Sequence, residues 1–203
     1  MTRINANLKM RELTDSHLKA EHREIIRVCY RYKKRLDKGM LQVETLDKLQ
    51  FKLGSGHELF FTNKCAFTLR RFKQLHQESI DRGFKLTDWS SLWHCYNVRH
   101  VDNDWSATAS DNDTIRLRIA ENIIKSKQVP RYKKQNITKL EAIQMLEFET
   151  IEAIQQLFKL LCTWAAILEL NISEVAEWFI DYCSIQLNYT LTFEELCKQI
   201  QQK

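Results

Sequence analysis

The first residues of the chain can supply a nucleophile. The sequence opens Met1-Thr2-Arg3, and a small second residue allows the initiator methionine to be removed, which would expose a free α-amine on Thr2. An α-amine titrates at about pH 7.7–8.0 and a lysine at about 10.4, so at neutral pH the terminal amine offers roughly a few hundred-fold more of the nucleophilic form. Such an amine is one way for a lyase to act without a buried lysine.

A predicted helix about twenty residues further on carries groups that suit such an amine. Glu24 lies two turns after His17, and Arg27 follows Arg23 by four residues, so a carboxylate, an imidazole and two guanidiniums share one flank. The carboxylate can move protons and the arginines can fix phosphates. The same spacing also fits a solvated helix face with ion pairs inside the helix, and the pattern alone leaves both interpretations open.

Helix signals place these residues on the first of two long helices. Thr14-Asp15-Ser16 offers an N-cap, and Gly39 can adopt the left-handed conformation that closes a helix. A second helix is predicted from about Glu58 to Arg82, ended by the glycine that follows. The apolar positions that we expect in the core are Leu18, Ile25, Val28, Tyr32 and Leu36 of the first helix and Phe60, Phe61, Phe67, Leu69, Phe72, Leu75 and Ile80 of the second.

The composition predicts a mainly α protein. The 203 residues include only four glycines and one proline, while helix-forming residues are abundant, which favours long helices over sheets. The length suffices for one compact helical domain with a C-terminal helical appendage, and its core needs no metal or disulfide.

The net charge of +5 conceals a division along the chain. Residues 1–140 hold 28 Lys and Arg against 16 Asp and Glu, a net of +12, whereas residues 141–203 hold 3 against 10, a net of −7. The basic part is the candidate polyanion binder, and a helix from about Asn112 to Lys125 and the basic strip after it extend that part. Surplus lysines that merely keep a domain soluble would give the same sum.

The sequence changes character from Ile137 onward. An apolar stripe at helical period runs from Ile143 to Leu168 through an acidic segment. A second helix of about Ser173 to Leu187 follows, and a third, short helix is predicted from about Thr192 to Gln201. We expect a stabilising or partner-binding extension that covers an apolar surface of the basic domain.

Four segments, in the same order, resemble the pyrimidine-dimer DNA glycosylase family of the phage endonuclease V type. They are Met1-Thr2-Arg3-Ile4-Asn5, the run Ala20–Val28, Leu53-Gly54-Ser55-Gly56-His57 followed by Phe60-Phe61, and Arg82-Gly83-Phe84. The likeness is strong from residue 1 to about 88 and traceable to about 139. The domain organisation that it implies is a catalytic and DNA-binding domain over residues 1–139 and an acidic helical extension over 140–203.

The resemblance implies a DNA-repair N-glycosylase and abasic-site lyase that acts on ultraviolet-induced pyrimidine dimers in double-stranded DNA without a cofactor. In that family pattern Thr2 forms the imine, and Glu24 is the catalytic glutamate that assists imine formation and proton abstraction. The remaining matches are DNA-binding, with His17 in a supporting role near the site: Arg3, His17, Arg23, Arg27 and Arg118.

Two features leave alternatives open. Where phage-type members end in a tail rich in tryptophan and tyrosine, residues 129–134 keep only Tyr132, so the substrate could be another damaged pyrimidine or a bare abasic site. The aromatic residues between Trp89 and Trp105 could stack on exposed bases or anchor a loop. A basic helical protein that binds DNA without catalysis is the competing class, and it would not require Thr2 or Glu24.

Other classes of protein and of site are not expected. The six cysteines form no CxxC pair and read as reduced intracellular thiols, and His94, Cys95 and His100 fit no standard zinc pattern. No apolar run approaches about 18 residues and no signal peptide is present. We expect a cytoplasmic monomer with no metal and no membrane partner.

Overall fold

A computed structural model describes residues 4–96, 103–168 and 170–187. The structure is mostly helical, which confirms the predicted mainly α class. Its α-helices are α1 Asp15–Ile25, α2 Arg27–Asp37, α3 Val43–Asp47, α4 His57–Phe61, α5 Cys65–Asp81, α6 Ala109–Lys125, α7 Lys139–Gln144, α8 Ile151–Thr163 and α9 Ile172–Leu187. Strands β1 (Arg131–Tyr132) and β2 (Gln135–Asn136) form a two-stranded sheet. None of the helices in this described part is long and apolar enough to cross a membrane.

The chain divides into two compact units. The first comprises residues 1–112 with 131–135, and the second comprises 113–130 with 136–203. In this division residues 113–130 group with the C-terminal helices, whereas the sequence placed them before its boundary at residue 139. The boundary between functional domains stays a prediction.

The predicted first helix is two helices in the structure. Its N-cap is Thr14 and Gly39 follows it with φ +63°, both as predicted. The break falls at Ile26. Its carbonyl accepts from the backbone N–H of Cys29, three residues later, at 3.1 Å, which is the spacing of a 3₁₀ turn and not of an α-helix. No glycine or proline marks this position, which is why the sequence did not predict it.

The core positions predicted on this helix are buried, except the last. Leu36 is 45% exposed, because all of residues 33–40 are at least partly exposed at the end of α2. The predicted second helix is also interrupted, at residues 62–64, where buried Asn63 donates a side-chain hydrogen bond to Asp47. Of its predicted core residues, Ile80 is 51% exposed and the prediction there was wrong.

Aromatic side chains form the centre of the first unit. Trp105 contacts the rings of Phe51, Phe60, Phe61 and Phe67 at centroid distances of 5.1–5.3 Å. This cluster confirms that the phenylalanines of α4 and α5 are core residues.

Two further aromatic side chains fasten the segment after α5 to α5 itself and to the turn that precedes α5. The Trp93 indole donates to Thr68 Oγ1 at 3.0 Å, and the Tyr96 hydroxyl donates to the Thr62 carbonyl at 2.9 Å. For Trp93, Tyr96 and Trp105 the anchoring interpretation is therefore correct, while Trp89 is 40% exposed.

The second unit is organised around a buried carboxylate in α6. Asp113 accepts from the backbone N–H groups of Glu149 and Thr150, at 3.0 and 2.7 Å, and pairs with Arg116 at 2.8 Å. The start of α8 is thereby fixed to α6. Helix α9 matches the predicted Ser173–Leu187, whereas Ile151, predicted in the apolar stripe, is 66% exposed. The predicted helix Thr192–Gln201 lies outside the described residues.

Candidate active site

A buried carboxylate holds the N-terminal segment against α1. Glu21 Oε1 accepts from the backbone N–H of Asn5 and Glu21 Oε2 accepts from the Asn5 side-chain amide, both at 2.8 Å. Arg71 on α5 donates from Nε and Nη2 to the same two oxygens, each at 2.9 Å. We refer to Asn5, Glu21 and Arg71 as the Glu21 clamp. The side chain of Glu21 is 0% exposed and that of Arg71 is 3% exposed.

The clamp satisfies the charges that it buries. Burying a carboxylate is unfavourable unless it is paired and hydrogen-bonded, and here a bidentate guanidinium and two N–H donors serve both oxygens. Arg71 uses its remaining terminal nitrogen to donate to the carbonyl of Leu8. One arginine therefore fixes both the helix α1 and the segment that precedes it.

A histidine holds the residue before Asn5. His57 Nε2 lies 3.3 Å from the backbone nitrogen of Ile4 and 3.0 Å from its carbonyl oxygen, and His57 Nδ1 lies 3.2 Å from the carbonyl oxygen of Lys52. With the proton on Nδ1 the ring donates to the Lys52 carbonyl and accepts from the Ile4 N–H, and with the proton on Nε2 it donates to the Ile4 carbonyl. Ile4, Asn5 and His57 are all buried.

These anchors bracket Glu24 along the helix. Glu21 precedes Glu24 by three residues, which is about 4.5 Å along the axis and places the two side chains on neighbouring positions. Glu58, the residue after His57, accepts from Arg31 Nε at 2.9 Å and lies 3.7 Å from Arg27 Nε. Arg27 follows Glu24 by three residues. The segment that enters at Ile4 is therefore held beside the end of α1 that carries Glu24.

The predicted site residues fall into three groups. His17, Arg23 and Glu24 lie on α1 and Arg27 lies at the start of α2, with Arg23 exposed and Glu24 half-buried. Thr14 Oγ1 lies 2.7 Å from His17 Nδ1, which ties this imidazole to the N-cap. Arg118 is half-buried on α6, within the second unit. Thr2 and Arg3 lie outside the described residues.

Comparison with known proteins identifies the segment that contains this arrangement. Residues 1–90 match the family model of pyrimidine dimer DNA glycosylases. The matched segment is less than half of the 203-residue chain. It includes the Glu21 clamp, His57 and Glu24, and it ends before Arg118. No solved structure matches the chain.

Sequence reasoning missed the residues that hold the N-terminal segment at the candidate site. Asn5, Glu21 and His57 stand inside the segments that carry the family resemblance, but their roles depend on contacts between distant parts of the chain. Arg71 gave one usable signal. It lies between apolar core positions of α5, where a buried arginine requires a carboxylate partner elsewhere.

A second polar contact joins α1 to α5. His22 Nε2 lies 3.2 Å from His76 Nδ1, and their ring centroids are 5.4 Å apart. That centroid distance means that the two nitrogens face each other nearly in line, the geometry of a hydrogen bond. Burial lowers the pKa of His22, electrostatic interaction with His76 lowers it further, and Asp88 opposes both.

The thiols of this unit are unsuited to nucleophilic chemistry. Cys29 and Cys65 are buried and Cys95 is partly buried, and all three are free. Burial, together with the neighbouring thiols, raises the pKa of Cys29 far above the neutral range, so it stays protonated. Within the described residues no group of three or more His, Cys, Asp or Glu side chains could hold a metal ion.

We predict a large loss of stability on substitution of Glu21 and a small one on substitution of Glu24, one turn away. Glu21→Gln should lower the free energy of unfolding by about 3–5 kcal/mol, because it leaves the buried Arg71 without its counter-charge. Glu24→Gln serves as the matched control and should change it by less than about 1 kcal/mol, because Glu24 is partly exposed. Urea unfolding followed by circular dichroism measures both. Equal stability of the two variants would contradict the assignment of Glu21 as the anchor.

We also predict an acid-sensitive contribution from His22. The unfolded chain takes up a proton on this residue near pH 6.5, whereas the folded chain resists protonation until a lower pH. The free energy of unfolding should therefore fall as the pH drops from 7.5 towards 5.5. His22→Gln, which stays neutral, should show a smaller fall over the same interval in urea titrations. An identical pH dependence in the variant would mean that the pKa of His22 is not lowered in the folded state.

Proposed function

We propose that this protein is a pyrimidine-dimer glycosylase with abasic-site lyase activity, and that Thr2 supplies the attacking amine and Glu24 the proton-transferring carboxylate. The family match over residues 1–90 supports the glycosylase class. The lyase step and the imine are the finer part of the proposal, and they rest on the geometry around Ile4 and Asn5.

The observation that carries the proposal is the double anchoring of the N-terminal segment. Ile4 is bound at His57 and Asn5 at Glu21, so the chain is fixed two residues after Thr2. Two residues of chain reach at most about 7 Å. A terminal amine on Thr2 would therefore act within about 7 Å of Ile4, the neighbour of the residue that Glu21 binds. Simple DNA binding would not require an amine at this place.

The reaction then divides between the two groups. The neutral amine attacks the anomeric carbon of the damaged nucleotide, a C–N bond forms, and the glycosidic bond to the pyrimidine breaks. Opening of the sugar gives an imine, and Glu24 assists these proton transfers. Glu24 next accepts the C2′ proton, after which the C3′–O bond breaks and the 3′ phosphate leaves with the electron pair. No cofactor is required for any of these steps.

Arginines near Glu24 suit the phosphates around such a site. Arg23 is exposed, and Arg27 has half of its side chain exposed although it lies near Glu58. We propose that both, with Arg3 and Arg118, grip the backbone of a bent duplex, which helps to offset the few kcal/mol needed to expose the damaged nucleotide. Guanidiniums near the amine would also favour its neutral form, while Glu24 opposes that effect.

Recognition of the lesion must rely on residues other than an aromatic tail of the phage type. Tyr132, the aromatic residue retained there, lies under the Arg82 guanidinium at 4.5 Å. Arg82 is itself buried and bound to Asp15 and Glu78. Tyr132 is therefore occupied in packing, and assays should compare dimers with abasic sites directly.

We predict that Glu24→Gln separates chemistry from binding. The substitution keeps the shape of the side chain and removes the base, so strand cleavage of a duplex with one thymine dimer should fall by about 10²–10⁴-fold. Affinity for the same duplex should change by less than about threefold. Single-turnover cleavage and fluorescence anisotropy measure the two quantities.

The exposed Glu44 of α3 provides a matched control, and Glu44→Gln should leave both quantities unchanged. An equal loss of cleavage and affinity in Glu24→Gln would make Glu24 a structural ion-pair partner and favour a protein that only binds DNA. Cleavage of abasic duplexes alone, with dimers untouched by the wild-type protein, would refute the glycosylase half of the proposal.

A further inference from the structure

The chain makes a tight turn directly after the residues that approach the candidate site. The backbone N–H of Leu8 donates to the carbonyl of Asn5 at 3.1 Å and closes this turn. Inside it, Ala6 has a φ of +47° and is fully buried. A positive φ is uncommon for a residue with a side chain, because the Cβ atom comes too close to the backbone. We call residues 5–8 the N-terminal turn, and its strain lies at Ala6.

Contacts from four helices fix the N-terminal turn and the residue before it. Three come from α4, α1 and α5 and were described above: His57 at Ile4, Glu21 at Asn5 and Arg71 at Leu8. The fourth comes from α6, where Asn112 Oδ1 accepts from the backbone N–H of Asn7 at 3.2 Å. Strained backbone persists only where the surrounding structure over-determines it, and it occurs most often at functional sites.

The Asn112 contact acts at the middle of the turn. The N–H of Asn7 belongs to the peptide that follows Ala6, so the bond to Asn112 fixes the backbone on one side of the strained residue. The bond that closes the turn fixes the other side. Asn112 is 8% exposed. It lies outside residues 1–90, the segment that matches the family model.

The start of α6 holds Asn112 in place. Thr108 and Asp111 form a reciprocal cap, in which the Thr108 N–H donates to Asp111 Oδ2 at 3.0 Å and the Asp111 N–H donates to Thr108 Oγ1 at 3.1 Å. The backbone N–H of Asn112 donates to the Thr108 carbonyl at 3.0 Å. The acceptor for Asn7 therefore comes from a capped helix end.

We propose that Asn112 is a positioning residue for the N-terminal amine. By holding the strained turn at Ala6, it sets the direction in which the segment before Asn5 leaves the Glu21 clamp. This inference rests on the proposed function, in which that segment delivers the Thr2 amine to the sugar. Without the Asn112 bond Ala6 relaxes towards a negative φ, and the segment samples orientations in which the amine misses the anomeric carbon.

Covalent trapping on a duplex with one abasic site tests this role. The full-length protein with its native N-terminus is reduced with borohydride over a range of DNA concentrations. Asn112→Ala should slow trapping at saturating DNA by about three- to tenfold, the value of one hydrogen bond, and change the half-saturating concentration by less than about twofold. Asn112→Asp keeps an oxygen acceptor and should trap at the wild-type rate. The matched control is Asn122→Ala, at an exposed position of the same helix. An equal loss in the control, or a loss confined to affinity, would overturn the proposal.

A rescue experiment tests whether strain at Ala6 is what Asn112 holds. Glycine adopts a positive φ without the steric penalty of alanine. In an Ala6→Gly background, Asn112→Ala should therefore slow trapping by less than about twofold. A loss as large as in the wild-type background would contradict this role of Asn112.

Hydrogen exchange separates the inference from the proposed function. It is measured by mass spectrometry on peptides that contain residues 4–8, from the full-length protein without DNA. These amides should exchange about three- to tenfold faster in Asn112→Ala and at the wild-type rate in Asn112→Asp. Faster exchange, together with no trapping by the wild-type protein, would refute the proposed function and leave Asn112 as the residue that holds the turn. Unchanged exchange in Asn112→Ala would overturn the inference whatever the activity.

Discussion

The buried Glu21 carboxylate is the constraint on which the proposed site depends. A fully buried carboxylate is tolerated only when its charge and both oxygens are satisfied, and here Asn5 and Arg71 complete that set. Satisfying Glu21 therefore fixes the N-terminal segment, α1 and α5 to one another. The proposed chemistry uses a chain terminus, which is ordinarily the most mobile part of a protein. In the proposed mechanism the clamp limits this mobility from Asn5 onward.

The same device recurs at other points of the chain, with a structural purpose. Asp15 pairs with buried Arg82 at 3.0 Å and also accepts from the backbone N–H groups of Lys133 and Lys134. Both lysines have a positive φ, 48° and 70°. This conformation is unfavourable for residues other than glycine. In the second unit Asp113 fastens α8 to α6 in the same way. Buried arginines and carboxylates thus fix the framework at several points of the chain.

Local sequence signals predicted the helices but not their interruptions. The N-cap at Thr14 and the glycines at 39 and 83 act through the backbone of their own neighbourhood, so they can be recognised from type and position. The break after α4 depends on Asn63 meeting Asp47, and these residues are sixteen positions apart. Leu36 and Ile80 continue the apolar period of their helices, and only the tertiary packing shows that each is about half exposed.

The candidate site was predictable to the same extent. Helical spacing predicted one flank for His17, Arg23, Glu24 and Arg27. The helix ends at Ile25, however, so only the first three share a helix and Arg27 lies on α2. The clamp was not predictable, since it joins three segments through a carboxylate that looks like any other helical glutamate. Glu21 and Glu24 have the same chemistry in the sequence and different environments in the structure, one fully buried and one half-buried. That difference separates an anchor from a group that can reach a substrate.

The most direct test of the account is to identify the amine that becomes bonded to the sugar. The protein with its native N-terminus is incubated with a duplex that contains a single dimer or abasic site, reduced with borohydride, digested and analysed by tandem mass spectrometry. The account predicts that the sugar remnant is attached to the α-amine of Thr2, with the initiator methionine absent. Attachment to the side chain of a lysine, such as Lys9 next to the clamp, would contradict it.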